Sequence, residues 1–150
     1  MSRDAQVANG RRRPAKLTKA NIVLTRMTLS PALPPPVVLV VEDEGLVRML
    51  AVDMLEEAGF VVAEAATADE ALGILESRSD IAALFTDVDM PGSMNGFALA
   101  RRVAERWPAI RVVITSGRFT PGRDDVPEAG LFVPKPYHQA QLLDAVRPVA

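Results

Sequence analysis

The feature that most constrains the fold is an unbroken apolar run, Val-Val-Leu-Val-Val, at residues 37–41. A strand with only apolar side chains is typical of a parallel sheet that is buried on both faces. The run leads directly into three acids, Glu42, Asp43 and Glu44. Because parallel strands need crossover connections, the rest of the chain should supply strands that alternate with helices.

The remaining sequence has this alternation. Four further apolar runs predict strands, at residues 60–65, 81–86, 110–115 and 131–133. Four segments with apolar residues at helical spacing predict helices, at residues 45–58, 67–75, 97–107 and 138–147. In the first of these helices the spacing is carried by Leu46, Met49, Leu50, Met54, Leu55 and Ala58. The alternation predicts a doubly wound α/β domain with a five-stranded parallel sheet and right-handed crossovers.

Composition separates the chain into two parts. Residues 1–36 hold seven Lys or Arg and one acid, whereas residues 37–150 hold ten bases and eighteen acids. We predict that residues 1–36 form a mostly disordered basic arm ending in a proline spacer, and that residues 37–150 form the folded domain. The arginines at 11–13 leave contact with an anionic surface open, and Met27 is an alternative start.

Several classes of protein are excluded by what the sequence lacks. It contains no cysteine, so disulfides, thiolate chemistry and cysteine-based metal sites do not arise. It also lacks an apolar run long enough for a signal-peptide core or a membrane span. We therefore expect a cytoplasmic protein without a membrane span.

Acids follow the first and third predicted strands. Asp87 comes directly after the apolar run 81–86 and is followed by Val88, Asp89 and a Pro-Gly break. One acid at a strand end often only caps the next turn. Neighbouring first and third strands would, however, bring Glu42 and Asp43 to Asp87 at the edge where open α/β sheets bind ligands. Three adjacent carboxylates repel one another unless a cation joins them, and an all-oxygen site suits Mg²⁺.

Two further polar side chains follow the last two strands. Ser116 ends the fourth strand, and Lys135 follows the fifth between two prolines. Because the ends of parallel strands meet at one edge, the hydroxyl and the amine should join the acids in a single site. His138, the single histidine, falls where a polar cap for the last helix is expected.

From residue 37 onward, the chain resembles the receiver domains of two-component response regulators. The resemblance is carried by four motifs in order at successive strand ends: Val-Val-Glu-Asp-Glu at 40–44, Thr-Asp-Val-Asp-Met-Pro-Gly at 86–92, Val-Ile-Thr-Ser-Gly at 113–117 and Phe-Val-Pro-Lys-Pro at 132–136. It implies a flavodoxin-like sheet with strand order 2-1-3-4-5. It also implies a phosphoacceptor signalling protein whose only catalysis is its own phosphorylation and dephosphorylation.

The resemblance assigns the acids. Asp87 is expected to be the nucleophile that accepts a phosphoryl group from a phosphohistidine. Glu42, Asp43 and Asp87, with the backbone carbonyl of Asp89, are expected to hold Mg²⁺. The expected donor is a histidine kinase or a histidine phosphotransfer protein.

The same resemblance assigns the remaining site residues. Lys135 is expected to offset charge on the phosphoryl oxygens, and Ser116 to donate a hydrogen bond to them. Ser116 and Phe132 are expected to form the switch, although Phe132 is equally explained as core filler. A cis peptide bond before Pro136 is also expected from the resemblance.

Two segments depart from the family pattern. The loop at 91–96 is one residue longer than usual, and a proline-bearing acidic loop at 120–128 stands where a fourth helix is expected. We therefore predict that this helix is short or missing. Because it often forms part of an output or dimer surface, the downstream protein is left unknown and a homodimer stays open.

The sequence leads to a stand-alone receiver that signals by altered partner binding or drains phosphoryl groups from a kinase. One alternative is a receiver-like interaction module that is never phosphorylated. A second is a metal-dependent enzyme of nucleic-acid phosphodiester chemistry, which would use Glu42, Asp87 and Asp89. That alternative does not explain Lys135 or Ser116, and we expect no nucleic-acid partner.

Overall fold

The computed structural model describes residues 35–122 and 124–147. Five strands lie in this part of the chain: β1 (Val37–Val41), β2 (Val61–Ala65), β3 (Ile81–Asp87), β4 (Arg111–Ser116) and β5 (Leu131–Pro134). Four helices connect or follow them: α1 (Gly45–Glu57), α2 (Ala68–Ser77), α3 (Gly96–Arg106) and α4 (Gln139–Val146). All paired strands are parallel, and the spatial order is β2-β1-β3-β4-β5. The predicted flavodoxin-like fold is confirmed.

The sheet separates two apolar layers because side chains alternate along each strand. Leu39 and Val41 of β1 face one layer, which is completed by α2 and α3. Val38 and Val40 face the other, which is completed by α1 and α4. Every residue of β1 is therefore buried, as the run at 37–41 predicted.

The order of the strands fixes where the polar strand ends meet. β1 and β3 are neighbours, with Val41 opposite Thr86. β3 and β4 are also neighbours, with Asp87 opposite Thr115. The carboxyl ends of β1, β3, β4 and β5 therefore form one continuous edge, which is where the predicted site residues lie.

The segment between β4 and β5 contains no helix in its described residues, 117–122 and 124–130. It forms turns instead, in which the backbone N–H of Gly130 donates to the carbonyl oxygen of Pro127 at 2.7 Å. Val126 from this loop packs against the core layer that also contacts Phe132. The prediction of a short or missing fourth helix is confirmed. Val126 of the loop covers part of the core where that helix was expected.

Helix α1 differs from the simplest interpretation of its apolar spacing. Leu46, Met49 and Leu50 are 73%, 50% and 59% exposed. The residues that bury the helix against the sheet are Ala51, Val52 and Leu55. The helix is apolar on two sides, and periodicity alone does not show which side faces the core.

Other boundaries agree with the prediction to within a few residues. β2 begins at Val61 rather than at residue 60, because the Phe60 N–H donates to the Leu55 carbonyl oxygen of α1 at 3.1 Å and not to a neighbouring strand. His138 is the N-cap of α4, and its backbone N–H donates to the Gln141 side-chain oxygen at 2.8 Å. The Lys135-Pro136 bond is cis, as the resemblance implied.

Residues 1–34 of the predicted arm lie outside the described part of the chain, so the prediction for the arm stays a prediction. None of the helices that the structure describes combines the length and the apolar character needed to cross a bilayer.

Candidate functional site

The end of β1 holds the first acid of the site. The ladder between β1 and β2 ends where the Glu42 N–H donates to the Ala65 carbonyl oxygen at 3.1 Å. The Glu42 side chain is buried, and its Oε1 accepts from the Glu44 N–H at 3.3 Å. Asp43, one residue further, is exposed. The chain therefore presents one buried and one solvated carboxylate as it leaves the sheet.

Asp87 is the last residue of β3 and is buried. Its carbonyl oxygen accepts a hydrogen bond from Thr86 Oγ1 at 2.9 Å. The next N–H, of Val88, donates to the Thr115 carbonyl oxygen at 3.1 Å, which extends the ladder with β4 past the end of the strand. These two bonds fix the position of the Asp87 backbone at the edge of the sheet.

Glu42, Asp43 and Asp87 converge as predicted. One carboxylate oxygen from each lies within 4.8 Å of the others. They line an open pocket together with Glu44, Asp89, Ser116, Gly117, Arg118 and Lys135. The donors are all hard oxygen atoms, which is the set that fits Mg²⁺ rather than a soft transition metal.

Lys135 joins the two buried carboxylates. Its Nζ lies 3.0 Å from Glu42 Oε2 and 3.3 Å from Asp87 Oδ1. Burial by itself would lower the pKa of Lys135, but its hydrogen bond to Glu42 and the charge of Asp87 outweigh it and raise the pKa. The amine is therefore held protonated between two acids.

The pKa values of the two buried acids, Glu42 and Asp87, are nevertheless raised. Burial is the largest cause that raises the pKa of Asp87, and Lys135 offsets it only in part. Burial likewise raises the pKa of Glu42, and the nearby charge of Asp87 adds to the effect. The amine of Lys135 offsets the raised pKa values only in part, and a bound cation would further stabilise the ionised forms of both acids.

Ser116 is buried at the end of β4, and its hydroxyl is already engaged. Ser116 Oγ accepts from the backbone N–H of Phe119 at 2.9 Å and of Arg118 at 3.2 Å. The hydroxyl thus organises the turn after β4 and also lines the pocket.

Asp89 and Arg118 face each other at the mouth of the pocket. Arg118 Nη1 lies 3.3 Å from Asp89 Oδ2, and the two side chains are 80% and 56% exposed. Such exposed pairs contribute little to stability. The Asp89 carboxylate pairs with Arg118 and is not among the three that converge, and the expectation that its carbonyl is a metal ligand stays a prediction.

Phe132 is partly buried and packs against the core layer of α2 and α3. Its main-chain partner across the ladder is Ile114 of β4, two residues before Ser116. The position is compatible with either of the interpretations made from the sequence, a switch residue or core filler.

Sequence reasoning missed two residues that lie next to the site but do not line its pocket. Arg48 of α1 donates from Nη1 to the Glu42 carbonyl oxygen at 2.7 Å and from Nε to Glu64 Oε1 at 3.1 Å. Thr115 is buried beside Asp87 in the ladder, and its Oγ1 has no hydrogen-bond partner among the described residues. The sequence offered only weak signals for these residues. Arg48 lies in the first turn of the helix after an acidic loop, and Thr115 is a hydroxyl residue within an apolar strand.

Thr115 gives a test of the cost of that hydroxyl. A buried hydroxyl without a partner costs about 1–3 kcal/mol, so Thr115→Val should raise the free energy of unfolding by about 1 kcal/mol. Thr86→Val is the matched control, because Thr86 is equally buried but its hydroxyl donates to the Asp87 carbonyl. That control should lose about 1 kcal/mol. Urea unfolding measures both, and an equal loss in the two variants would contradict the assignment.

Together the fold and the site define a class: a doubly wound α/β domain with an acidic pocket and a buried lysine at the carboxyl edge of its sheet. The chain belongs to the response regulator receiver domain family, because the sequence model of that family matches residues 38–147. This match confirms the predicted family. Receiver domains act in the phosphorelays of two-component signal transduction.

Individual relatives agree with this assignment. The chain is 36% identical over 115 residues to the sensor kinase CckA of Brucella abortus and to the hydrogenase transcriptional regulatory protein HoxA of Cupriavidus necator. Each match covers 73% of this chain, but only 12% of CckA and 23% of HoxA. The chain therefore spans less than a quarter of the length of these two relatives.

Solved structures show the same likeness. A response regulator receiver protein from Sinorhizobium medicae superposes with a TM-score of 0.72 at 26% identity, over 77% of this chain and 94% of that chain. The receiver domain of the hybrid histidine kinase CckA superposes with a TM-score of 0.61 at 33% identity, over 72% of this chain and 93% of that chain.

Proposed function

We propose that this receiver accepts a phosphoryl group on Asp87 from a phosphohistidine of a histidine kinase or a histidine phosphotransfer protein. The observation that carries the proposal is the Asp87 carboxylate, which lies 3.3 Å from Lys135 Nζ and within a cluster of three acids. A nucleophile, a fixed ammonium and a set of oxygen donors are the parts that phosphoryl transfer to a carboxylate needs.

The transfer begins with attack by one Asp87 carboxylate oxygen on the phosphorus of the donor. A P–O bond forms as the P–N bond breaks, and the electron pair of that bond returns to the donor imidazole. The product is an acyl phosphate on Asp87. Lys135, already hydrogen-bonded between Glu42 and Asp87, stabilises the negative charge on the phosphoryl oxygens without having to move far.

The acids Glu42, Asp43 and Asp87 would hold Mg²⁺, and the raised pKa of both Glu42 and Asp87 supports a need for added positive charge there. When bound, the ion supplies electrostatic stabilisation of the transferring phosphoryl group. The residues themselves set the position of the nucleophile. The two hydrogen bonds at the Thr86–Val88 backbone keep the Asp87 carboxylate at the pocket floor.

Ser116 provides the response to phosphorylation. Its Oγ accepts from two backbone N–H groups of the turn after β4. When the Ser116 side chain moves toward Asp87 and its O–H donates to a phosphoryl oxygen, Oγ moves away from these two N–H groups, and the turn at Arg118 and Phe119 is free to rearrange. Phe132 on the adjacent strand then fills the space that Ser116 vacates.

The exposed apolar side of α1 supports docking of a phosphodonor protein. Leu46, Met49 and Leu50 are exposed on the helix that follows the acids of the pocket. A second cavity, lined by Val47, Leu50, Met54, Lys135, Pro136 and Tyr137, lies beside this surface and shares Lys135 with the phosphoryl pocket. An apolar helix of the donor would bury these side chains while its histidine reaches Asp87.

In this proposal the phosphorylated chain works as a cytoplasmic receiver. It signals by changing its affinity for a downstream protein or serves as a sink that drains phosphoryl groups from the kinase. The turn after β4 and the helix-free segment before β5 are the surfaces that would change.

The test uses the purified full chain with a small-molecule phosphodonor and Mg²⁺. Intact-mass measurement should show one phosphoryl adduct that hydroxylamine removes, as expected for an acyl phosphate, and that EDTA prevents. An adduct that resists hydroxylamine would contradict an acyl phosphate. No adduct from the small donor or from a phosphorylated histidine phosphotransfer domain would leave a non-phosphorylated interaction module as the better account.

A further inference from the structure

The peptide unit between the two acids at the end of β1 is held from outside the pocket. Arg48 Nη1 donates to the Glu42 carbonyl oxygen at 2.7 Å, one of the shortest side-chain bonds near the site. This carbonyl follows the last ladder bond of β1, so the sheet itself no longer fixes it. The guanidinium therefore supplies the constraint that the sheet stops providing at Glu42.

Arg48 is itself anchored on the neighbouring strand. Its Nε lies 3.1 Å from Glu64 Oε1 of β2, and the arginine side chain is only 24% exposed. Glu64 pairs with Val40 across the ladder between β1 and β2. The guanidinium thus connects α1, β2 and the end of β1, and it fixes the orientation of the Glu42–Asp43 peptide.

Arg48 takes no direct part in the pocket. It does not line the cavity formed by Glu42, Asp43, Asp87 and Lys135, and instead lines a separate groove with Glu64, Ala65, Ala66 and Glu70. Arg48 can therefore influence the site through the backbone that carries Glu42 and Asp43 or through its charge, but not by direct contact with a group in the pocket.

We infer that Arg48 is a positioning residue for the divalent cation site, acting through the Glu42 carbonyl. The inference rests on the proposed cation site of Glu42, Asp43 and Asp87. Residues that orient metal ligands from behind usually change metal affinity by about 10- to 100-fold when they are replaced. Asp43 depends on this constraint most, because its exposed side chain has no side-chain hydrogen bond among those in the described residues.

Charge and position act in opposite directions here. A positive guanidinium near the acids opposes cation binding, whereas a fixed peptide favours it by removing the cost of ordering the ligands. Glu64 Oε1 lies 3.1 Å from Arg48 Nε and offsets part of its charge, and water around the half-exposed Glu64 side chain screens the remainder. The positional effect should therefore be the larger one, and loss of Arg48 should weaken cation binding.

The experiment is calorimetric titration of the unphosphorylated full chain with Mg²⁺ alone. Arg48→Met should raise the Mg²⁺ Kd about tenfold, and Arg48→Lys should lie between Met and wild type because one ammonium can reach the carbonyl. Glu64→Gln removes the ion pair, but its amide oxygen can still accept from Arg48 Nε and keep the guanidinium on the Glu42 carbonyl, so its Kd should stay within about twofold of wild type. Arg78→Met, which breaks a remote exposed pair with Asp80, controls for the loss of an arginine.

Each outcome separates the inference from the proposed function. If wild type binds Mg²⁺ and Arg48→Met binds it equally, the positioning role is wrong and the cation site stands. A Glu64→Gln loss as large as that of Arg48→Met would assign the effect to the ion pair and overturn the carbonyl contact. Wild type that binds no Mg²⁺ would overturn both. Circular dichroism confirms folding, and Arg48→Lys, with an increase of about threefold, carries the test if Arg48→Met does not fold.

Discussion

Asp87→Asn is expected to accept no phosphoryl group, whereas Asp89→Asn is expected to remain a substrate. The amide of the first variant keeps the size of Asp87 and its place 3.3 Å from Lys135 but lacks the anionic oxygen that attacks phosphorus. The rate with a small phosphodonor should fall by at least about 10³-fold. Asp89→Asn changes an acid in the same loop whose carboxylate pairs with exposed Arg118 instead. A phosphate-affinity gel sampled over time, with EDTA beside it, measures both.

The outcome that contradicts this assignment is an adduct of equal yield in Asp87→Asn and wild type. Asp43 would then be the next acid to replace, because it is the exposed member of the cluster. Loss of the adduct in both Asp87→Asn and Asp89→Asn would instead show that the loop after β3 had been disturbed. Circular dichroism on all variants distinguishes a chemical effect from an unfolded loop.

Asp87→Asn, which removes the phosphorylation site, is expected to increase the stability of the fold. Burial raises the pKa of Asp87 in the folded protein, so ionising this carboxyl costs the folded state more than the unfolded one. Its favourable contribution is complete below the unfolded pKa and is lost as pH rises through the folded pKa. Asp87→Asn, which never ionises, should therefore melt at a higher temperature than wild type at neutral pH without divalent ions. The difference should disappear below about pH 3, where the wild-type carboxyl is protonated in both the folded and the unfolded state.

The sequence predicted the fold and the strand-end site for the same physical reason. An apolar run such as residues 37–41 is tolerated only where both faces of a strand are covered, and this condition implies a parallel sheet with helices on each side. Once β1 and β3 are neighbours, Asp87 must lie near Glu42 because both follow the last ladder residues. The order of the strands is therefore enough to predict that these acids lie close together.

The residues that sequence reasoning missed depend on contacts without a local pattern. Arg48 contacts a carbonyl six residues earlier and a carboxylate sixteen residues later, on different elements. Thr115 differs from an apolar strand residue only in its hydroxyl. Whether that hydroxyl finds a hydrogen-bond partner depends on the packing of residues distant in sequence. Helix α1 shows the same limit in another form, because Leu50 and Leu55 are both apolar and only the packing shows which one is buried.

Gly96→Ala is expected to have the largest effect on stability. A Cβ at Gly96 would lie 2.0 Å from the Asp87 carbonyl oxygen and 2.8 Å from the Val88 Cα. Both neighbours are backbone atoms, held by the Thr86 hydroxyl and by the Gly96 N–H, which donates to the Val88 carbonyl at 3.0 Å. Neither can rotate away as a side chain can, so α3 or the end of β3 must shift. The free energy of unfolding should fall by about 3 kcal/mol.

Gly73→Ala is the matched control, because it makes the same chemical change in a helix where the new Cβ meets nothing within 4 Å. Alanine is the better helix former, so this variant should gain up to about 1 kcal/mol in urea unfolding. If Gly96→Ala stays folded, its phosphorylation should also slow, because the displaced backbone carries the nucleophile itself. Unfolding and phosphorylation at the wild-type values would show that α3 packs less tightly on Asp87 than this contact requires. A lower free energy of unfolding together with slower phosphorylation would show that the close packing of the start of α3 determines the position of Asp87 in the pocket.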